Sequence, residues 1–188
     1  MMDVLVGAFQ IVAIVVAVGG AAKLVAPDSF ASTLRTLGLP GGRGAARLSG
    51  VAELVLGVAA VVVGGVLLAL AIATLYVAFT GVVWVARRRG AVSCGCFGAA
   101  DAPPGPVHVA VNAVSALVAG AAAITSPAGL TDVLADQPVA GVPYLVALAL
   151  GTWMVVVLDT TGAELWDRMA DVRRLGPTFR DNSSSGAR

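Results

Sequence analysis

Four stretches of this chain, 4–22, 54–86, 102–131 and 137–158, contain no Asp, Glu, Lys or Arg. A helix crossing the hydrocarbon core of a bilayer needs roughly 20 apolar residues, about 17–25. Uninterrupted runs of that length predict an all-α, polytopic membrane helical bundle. Only 12% of the residues are charged and 58% are hydrophobic, whereas a soluble domain carries about a quarter charged residues. The net charge of +1 gives no footing for nucleic acid. The first run is read as a retained helix. Its leader, Met1-Met2-Asp3, lacks the basic residues of a signal peptide, and the run exceeds the usual 7–15 apolar residues or so.

Span 1 is expected over 4–26, closed by Pro27. The second uncharged block extends back to Ala45, and as one helix 45–86 would reach about 63 Å at 1.5 Å per residue. That is about twice the hydrocarbon thickness, so a break is required, and Gly64-Gly65 supplies it. The remaining spans are then 45–63, 66–86, 107–125 and 139–158, the last two stopped by Ser126-Pro127 and Asp159. Arginine and lysine are retained in cytoplasmic loops. With five spans every arginine falls on one side: Arg35, Arg43 and Arg47, then Arg87, Arg88 and Arg89, then Arg168, Arg173, Arg174, Arg180 and Arg188. The opposite side, made of the N-terminus, the Gly64-Gly65 hairpin and the loop 126–138, has no Lys or Arg and contains Asp132 and Asp136. The expected topology is a multi-pass cell-membrane protein in contact with the lipid bilayer, its N-terminus outside and its C-terminus cytoplasmic.

Two shorter helices are expected on the arginine-rich face. Asp28 is a candidate N-cap, followed by Phe30, Leu34 and Leu37 at helical spacing and ended by Gly38 and Pro40. After span 5, Leu165, Trp166, Met169 and Val172 form an apolar stripe among charged residues, suited to the headgroup region. The expected organisation is a transmembrane domain over 1–158, a cytoplasmic amphipathic helix over 159–180 and a disordered polar tail over 181–188. Glycine and alanine within the spans, as in Gly19-Gly20-Ala21-Ala22, point to close helix packing.

Chemistry points to Cys94 and Cys96, the only cysteines, in a Gly-rich loop after Arg87-Arg88-Arg89. Neighbouring arginines favour thiolate, and a Cys-Gly-Cys disulfide is a small strained ring suited to exchange. Two other readings stand beside it: a pair of inert buried cysteines, or a soft-metal site with His108, which lacks a fourth ligand. Lys23, the only lysine, and Glu53 enter the membrane from the same side on consecutive spans, where an ion pair between them is geometrically reasonable; snorkelling is the alternative for Lys23. His108 and Asn112 lie one turn apart at the start of span 4 and face one direction. They are candidate cofactor-binding residues, or else an interfacial histidine and an interhelical hydrogen bond. All six residues fall toward one face of the membrane.

Ala22-Lys23-Leu24 with Pro27 and Phe30, Leu37-Gly38-Leu39-Pro40, Glu53-Leu54-Val55-Leu56-Gly57, Cys94-Gly95-Cys96-Phe97-Gly98 and Asn112 together resemble the methylamine-utilisation MauE family, which is related to the DoxX/DoxD membrane proteins. The resemblance covers about residues 4–158, and the Cys-Gly-Cys-Phe-Gly run is its most specific part. One position departs: an arginine often precedes the asparagine of span 4, and here Val111 stands there, with His108 as the nearby basic group. The resemblance implies a four-helix MauE/DoxX-like core plus a fifth C-terminal transmembrane helix, and a link to thiol–disulfide handling or protein maturation beside a thioredoxin-like partner. The leading expectation is a possible membrane thiol–disulfide oxidoreductase. Cys94 and Cys96 cycle between dithiol and disulfide, electrons pass to a quinone, Glu53 relays protons and Lys23 orients it. The rivals are a non-catalytic membrane assembly or scaffold protein and a soft-metal binder.

Overall fold

The computed structural model describes residues 2–90, 95, 97, 104–136 and 140–184, with the backbone alone for residues 2–3 and for most of 163–184. Among the described residues the chain forms seven helices: α1 (Met2–Val25), α2 (Pro27–Thr36), α3 (Arg43–Val63), α4 (Val66–Arg88), α5 (Pro106–Thr125), α6 (Leu130–Asp136) and α7 (Gly141–Ser184). Five of them, α1, α3, α4, α5 and the first half of α7, are long and apolar enough to cross a membrane. Helices suit that solvent because each backbone amide and carbonyl is satisfied within its own segment. The protein is a multi-pass helical membrane protein, and α1, α3, α4 and α5 start and stop within two residues of the limits expected for the first four spans.

The core is a four-helix bundle in which α1 packs chiefly on α3 and α4 on α5, with α1 also touching α5 and α3 touching α4. Phe9, Val12, Ala13 and Val16 of α1 meet Ala60 and Val61 of α3, Ala69, Ile72 and Tyr76 of α4, and Ala119, Ala122 and Ala123 of α5. Helix α7 lies against α1 and α5. Small residues set the tightest contact. A Cβ on Gly20 would stand 2.6 Å from the Gly50 carbonyl oxygen, and one on Gly57 2.7 Å from that of Ala13. Helices in lipid gain no hydrophobic drive from each other, so close backbone approach is what holds them. The outward faces are apolar, as with Val51, Val55, Val58 and Val62 of α3, spaced four, three and four apart and all exposed.

The Gly64-Gly65 break is as expected, at φ 67° and 89°. Gly65 N–H donates to the Pro127 carbonyl at 2.8 Å, and a Cβ on Gly64 would clash with that same oxygen. The α3–α4 hairpin is thus clamped to the turn after α5, where Thr131 of α6 also donates to Val62 O at 3.1 Å. Buried Gln10 on α1 completes this end, donating to Ala128 O at 3.3 Å and accepting from the Tyr144 hydroxyl at 3.0 Å.

Three details differ from the sequence reading. Ala26, not Asp28, is the N-cap of α2, with Pro27 in the first turn. Proline fits there because its missing N–H has no intrahelical partner in any case. Asp28 instead accepts from Arg43 at 2.6 and 3.0 Å, tying α2 to α3. Second, the chain does not break at Asp159. Helix α7 continues for 44 residues, about 66 Å, so the fifth span and the expected amphipathic helix 159–180 are one rod that reaches Ser184. No proline interrupts its ladder between Pro143 and Pro177, and the Asp159 side chain turns inward, 4% exposed. The tail expected to be disordered from 181 is helical to Ser184, and 185–188 lie outside the described residues. Third, α6 was not expected, being only seven residues long.

Candidate functional site

The close crossing of α1 and α3 also builds the polar centre of the molecule. A Cβ on Gly20 would lie 3.0 Å from that of Glu53, and one on Gly50 would lie 3.1 Å from that of Lys23. Each glycine therefore faces the long charged side chain of the other helix. Lys23 and Glu53 stand one turn from those glycines, and their tips meet: Lys23 Nζ lies 2.6 Å from Glu53 Oε2. Both side chains are buried, 1% and 3% exposed, so Lys23 does not snorkel to the surface. Ser49, one turn earlier on α3, donates to Glu53 Oε1 at 2.8 Å, which satisfies the second carboxylate oxygen.

Two rings enclose the ammonium. Its nitrogen lies 5.1 Å from the Phe30 centroid on α2 and 5.3 Å from the Phe79 centroid on α4. Such contacts are worth about 2 kcal/mol when desolvated. Because both charged side chains are almost fully buried, the ion pair is little screened, and leaving either partner alone is costly.

The pair opens onto a cavity of about 20 Å³ lined by Val15, Lys23, Glu53, Phe97, Asn112 and Asp159, among others. That is room for about one water, with polar groups to hold it. Asn112 Nδ2 donates to His108 O at 2.8 Å, which leaves its carbonyl end for other contacts. His108, one turn before Asn112 on α5, is buried, 1% exposed. Its Nδ1 accepts the Gly105 amide at 3.3 Å at the start of α5. Tyr76 also borders the cavity, and its hydroxyl donates to Val12 O at 2.8 Å.

Cys94 and Cys96 lie outside the described residues. Gly95 between them is buried, at φ 76°, and a Cβ there would stand 2.6 Å from Phe30 Cα. Phe97 is buried and lines the cavity. Lys23, Glu53 and Asn112 thus share one pocket, and His108 is not in its lining. Sequence reasoning missed Asp159, taken there as a helix stop, and the aromatic walls Phe30, Phe79 and Phe97. The available signal for Asp159 was an acid at the end of an apolar run, on the same face as the other polar residues.

A larger cavity, about 200 Å³, lies at the opposite end between α1, α6 and α7, walled by Val6, Val133, Leu134 and Tyr144. Its size does not make it the reactive site. Asp136 is the acidic group in its lining, and the Tyr144 hydroxyl already donates to Gln10.

Residues 1–126 match the family model described as methylamine utilisation protein MauE. No curated protein and no solved structure matches the chain. The matched stretch runs from α1 to the end of α5 and takes in Lys23, Glu53, Cys94, Cys96, His108 and Asn112; Asp159 and α7 lie beyond it.

Proposed function

We propose, for a chain that belongs to the methylamine-utilisation MauE family, a role as a membrane thiol–disulfide redox protein in which Cys94 and Cys96 cycle between dithiol and disulfide. The observation that carries the reading is the packing of Gly95 on Phe30 together with Phe97 in the wall of the Lys23–Glu53 cavity. The residues beside both cysteines are thereby held at the one buried ionisable centre described in the bundle. Oxidation breaks two S–H bonds, forms one S–S bond and releases two electrons and two protons. The electrons pass to a quinone, giving the quinol, or to the disulfide of a thioredoxin-like partner, giving its dithiol. Glu53 takes up and hands on protons, and Lys23 with Ser49 holds its carboxylate in place. Exchange proceeds by thiolate attack on a disulfide sulfur, so both cysteines are needed.

The arginine distribution supports a cytoplasmic position for the site, with the N-terminus outside. A membrane-impermeant maleimide, applied to intact cells and to inverted vesicles with and without reduction, tests both parts. Labelling in inverted vesicles alone, and only after reduction, is expected. Labelling in intact cells overturns the orientation. Thiols that react equally with and without reduction overturn the redox role and favour an assembly or scaffold protein, in which the Gly95–Phe30 contact is a folding element.

A further inference from the structure

The fifth span reaches the site with one acidic residue. Asp159 is buried on α7 and lines the same cavity as Lys23, Glu53 and Asn112. It stands one turn before Gly162, the last residue of the membrane-spanning part of α7. A Cβ on Gly162 would meet Val107 at 3.2 Å, so α7 is seated against the start of α5 at this level. Burying a second carboxylate in the membrane is costly and marks functional positions by default. Its neighbour Leu158 is exposed on the outward face, so the acid, and not the apolar residue, is the one turned into the bundle. Asp159 also lies outside the stretch matched by the family model, which ends at residue 126.

We infer that Asp159 is a second proton-relay carboxylate, exchanging protons between the cavity beside Glu53 and the aqueous phase at the arginine-rich face. The inference rests on the redox reading above. Each turnover frees two protons from Cys94 and Cys96, and two carboxylates border the cavity to take them. With a quinone as oxidant two S–H bonds break and two O–H bonds form: the thiol protons leave through the relay to the aqueous phase, and the quinone takes up two protons from that phase as it becomes the quinol. The polar groups that line the cavity with Asp159 are Lys23 on α1, Glu53 on α3, Tyr76 on α4 and Asn112 on α5, and His108 is buried one turn before Asn112. Glu53 and Lys23 are engaged with each other, and the Tyr76 hydroxyl with Val12 O. The cavity has room for about one water, which would bridge Glu53 and Asp159.

The test uses the full chain, reduced, in lipid vesicles. A short-chain ubiquinone is added and the remaining thiols are counted over time from acid to alkaline pH. Asp159→Asn is expected to slow oxidation on the order of 10²-fold, as for loss of a proton-transferring side chain, and to remove one limb of the pH profile. Asp159→Glu is expected to restore both. An Asp159→Asn variant that oxidises at the wild-type rate, or slowly but with an unchanged pH profile, overturns the inference and leaves the redox reading intact. Wild-type protein that the quinone does not oxidise overturns the quinone-coupled relay, while oxidation by a thioredoxin-like disulfide under the same conditions separately decides the redox reading. If Asp159→Asn does not accumulate, infrared difference spectra of wild type with carboxyl-labelled aspartate decide instead. An aspartate band that changes between dithiol and disulfide supports the relay, and a silent one overturns it.

Discussion

At Glu53 a carboxylate is held inside the bilayer by one ammonium and one hydroxyl. Removing one partner of such a buried pair costs about 3–5 kcal/mol, whereas replacing both with apolar side chains of similar volume is often neutral. Lys23→Met and Glu53→Leu are each expected to lower stability by about that amount, and the double variant to recover most of it. Thermal unfolding in detergent measures all three. The double variant should still lack thiol turnover, which separates what the pair does for folding from what it does for chemistry. Gly95→Ala places a methyl group against Phe30 at a positive φ. It is expected to abolish turnover while the bundle melts close to wild type, because the strain falls on the loop and not on the core. At the surface, the hydrogen bond from Arg43 holds the Asp28 carboxyl below its usual value of 3.8. A depressed carboxylate adds stability that is fully present above the unfolded pKa and lost as pH falls through the folded one. Its carboxyl titration, followed by NMR, should therefore move up in an Arg43→Ala variant.

The helices themselves were legible because their signals are local. Charge-free length fixed the spans, and Gly64-Gly65 marked a break that only residues without a Cβ can make. Helix α2 was found from Phe30 and Leu34, although its cap was misplaced by two residues, since Asp28 has a better partner in Arg43 than in its own backbone. The stop expected at Asp159 failed for a different reason: a charge ends a span only if it faces lipid, and this one faces the bundle. Packing at α1–α3 allows a sharper test. Gly20→Val pushes into the backbone of α3 at Gly50 and Leu54. It is expected to cost about 1–3 kcal/mol as overpacking and to loosen the Lys23–Glu53 contact one turn away. Gly81 has nothing within 4 Å, so Gly81→Ala in the same assay should be neutral or stabilising by up to about 1 kcal/mol.

For the whole molecule, an odd number of spans puts the two termini on opposite sides. A reporter fused after Arg188 is expected in the cytoplasm, and one fused after Asp136, ahead of the fifth span, on the outer face. Both reporters on the same side would remove α7 from the membrane and Asp159 from the site. The sequence by itself determined the membrane class and the five spans, because hydropathy and charge are counted along the chain. It also exposed the Lys23 and Glu53 pairing as a possibility, since both sit at matching depth on consecutive helices. Only the tertiary structure decided that Gly20 and Gly50 bring those two side chains to 2.6 Å, that Phe30 and Phe79 close over the ammonium, and that α7 delivers Asp159 to the same cavity. Those facts depend on the rotation of each helix about its axis and on the distance between axes. Both are set by which small residues meet across an interface, and a pattern read along one helix carries no information about its neighbour.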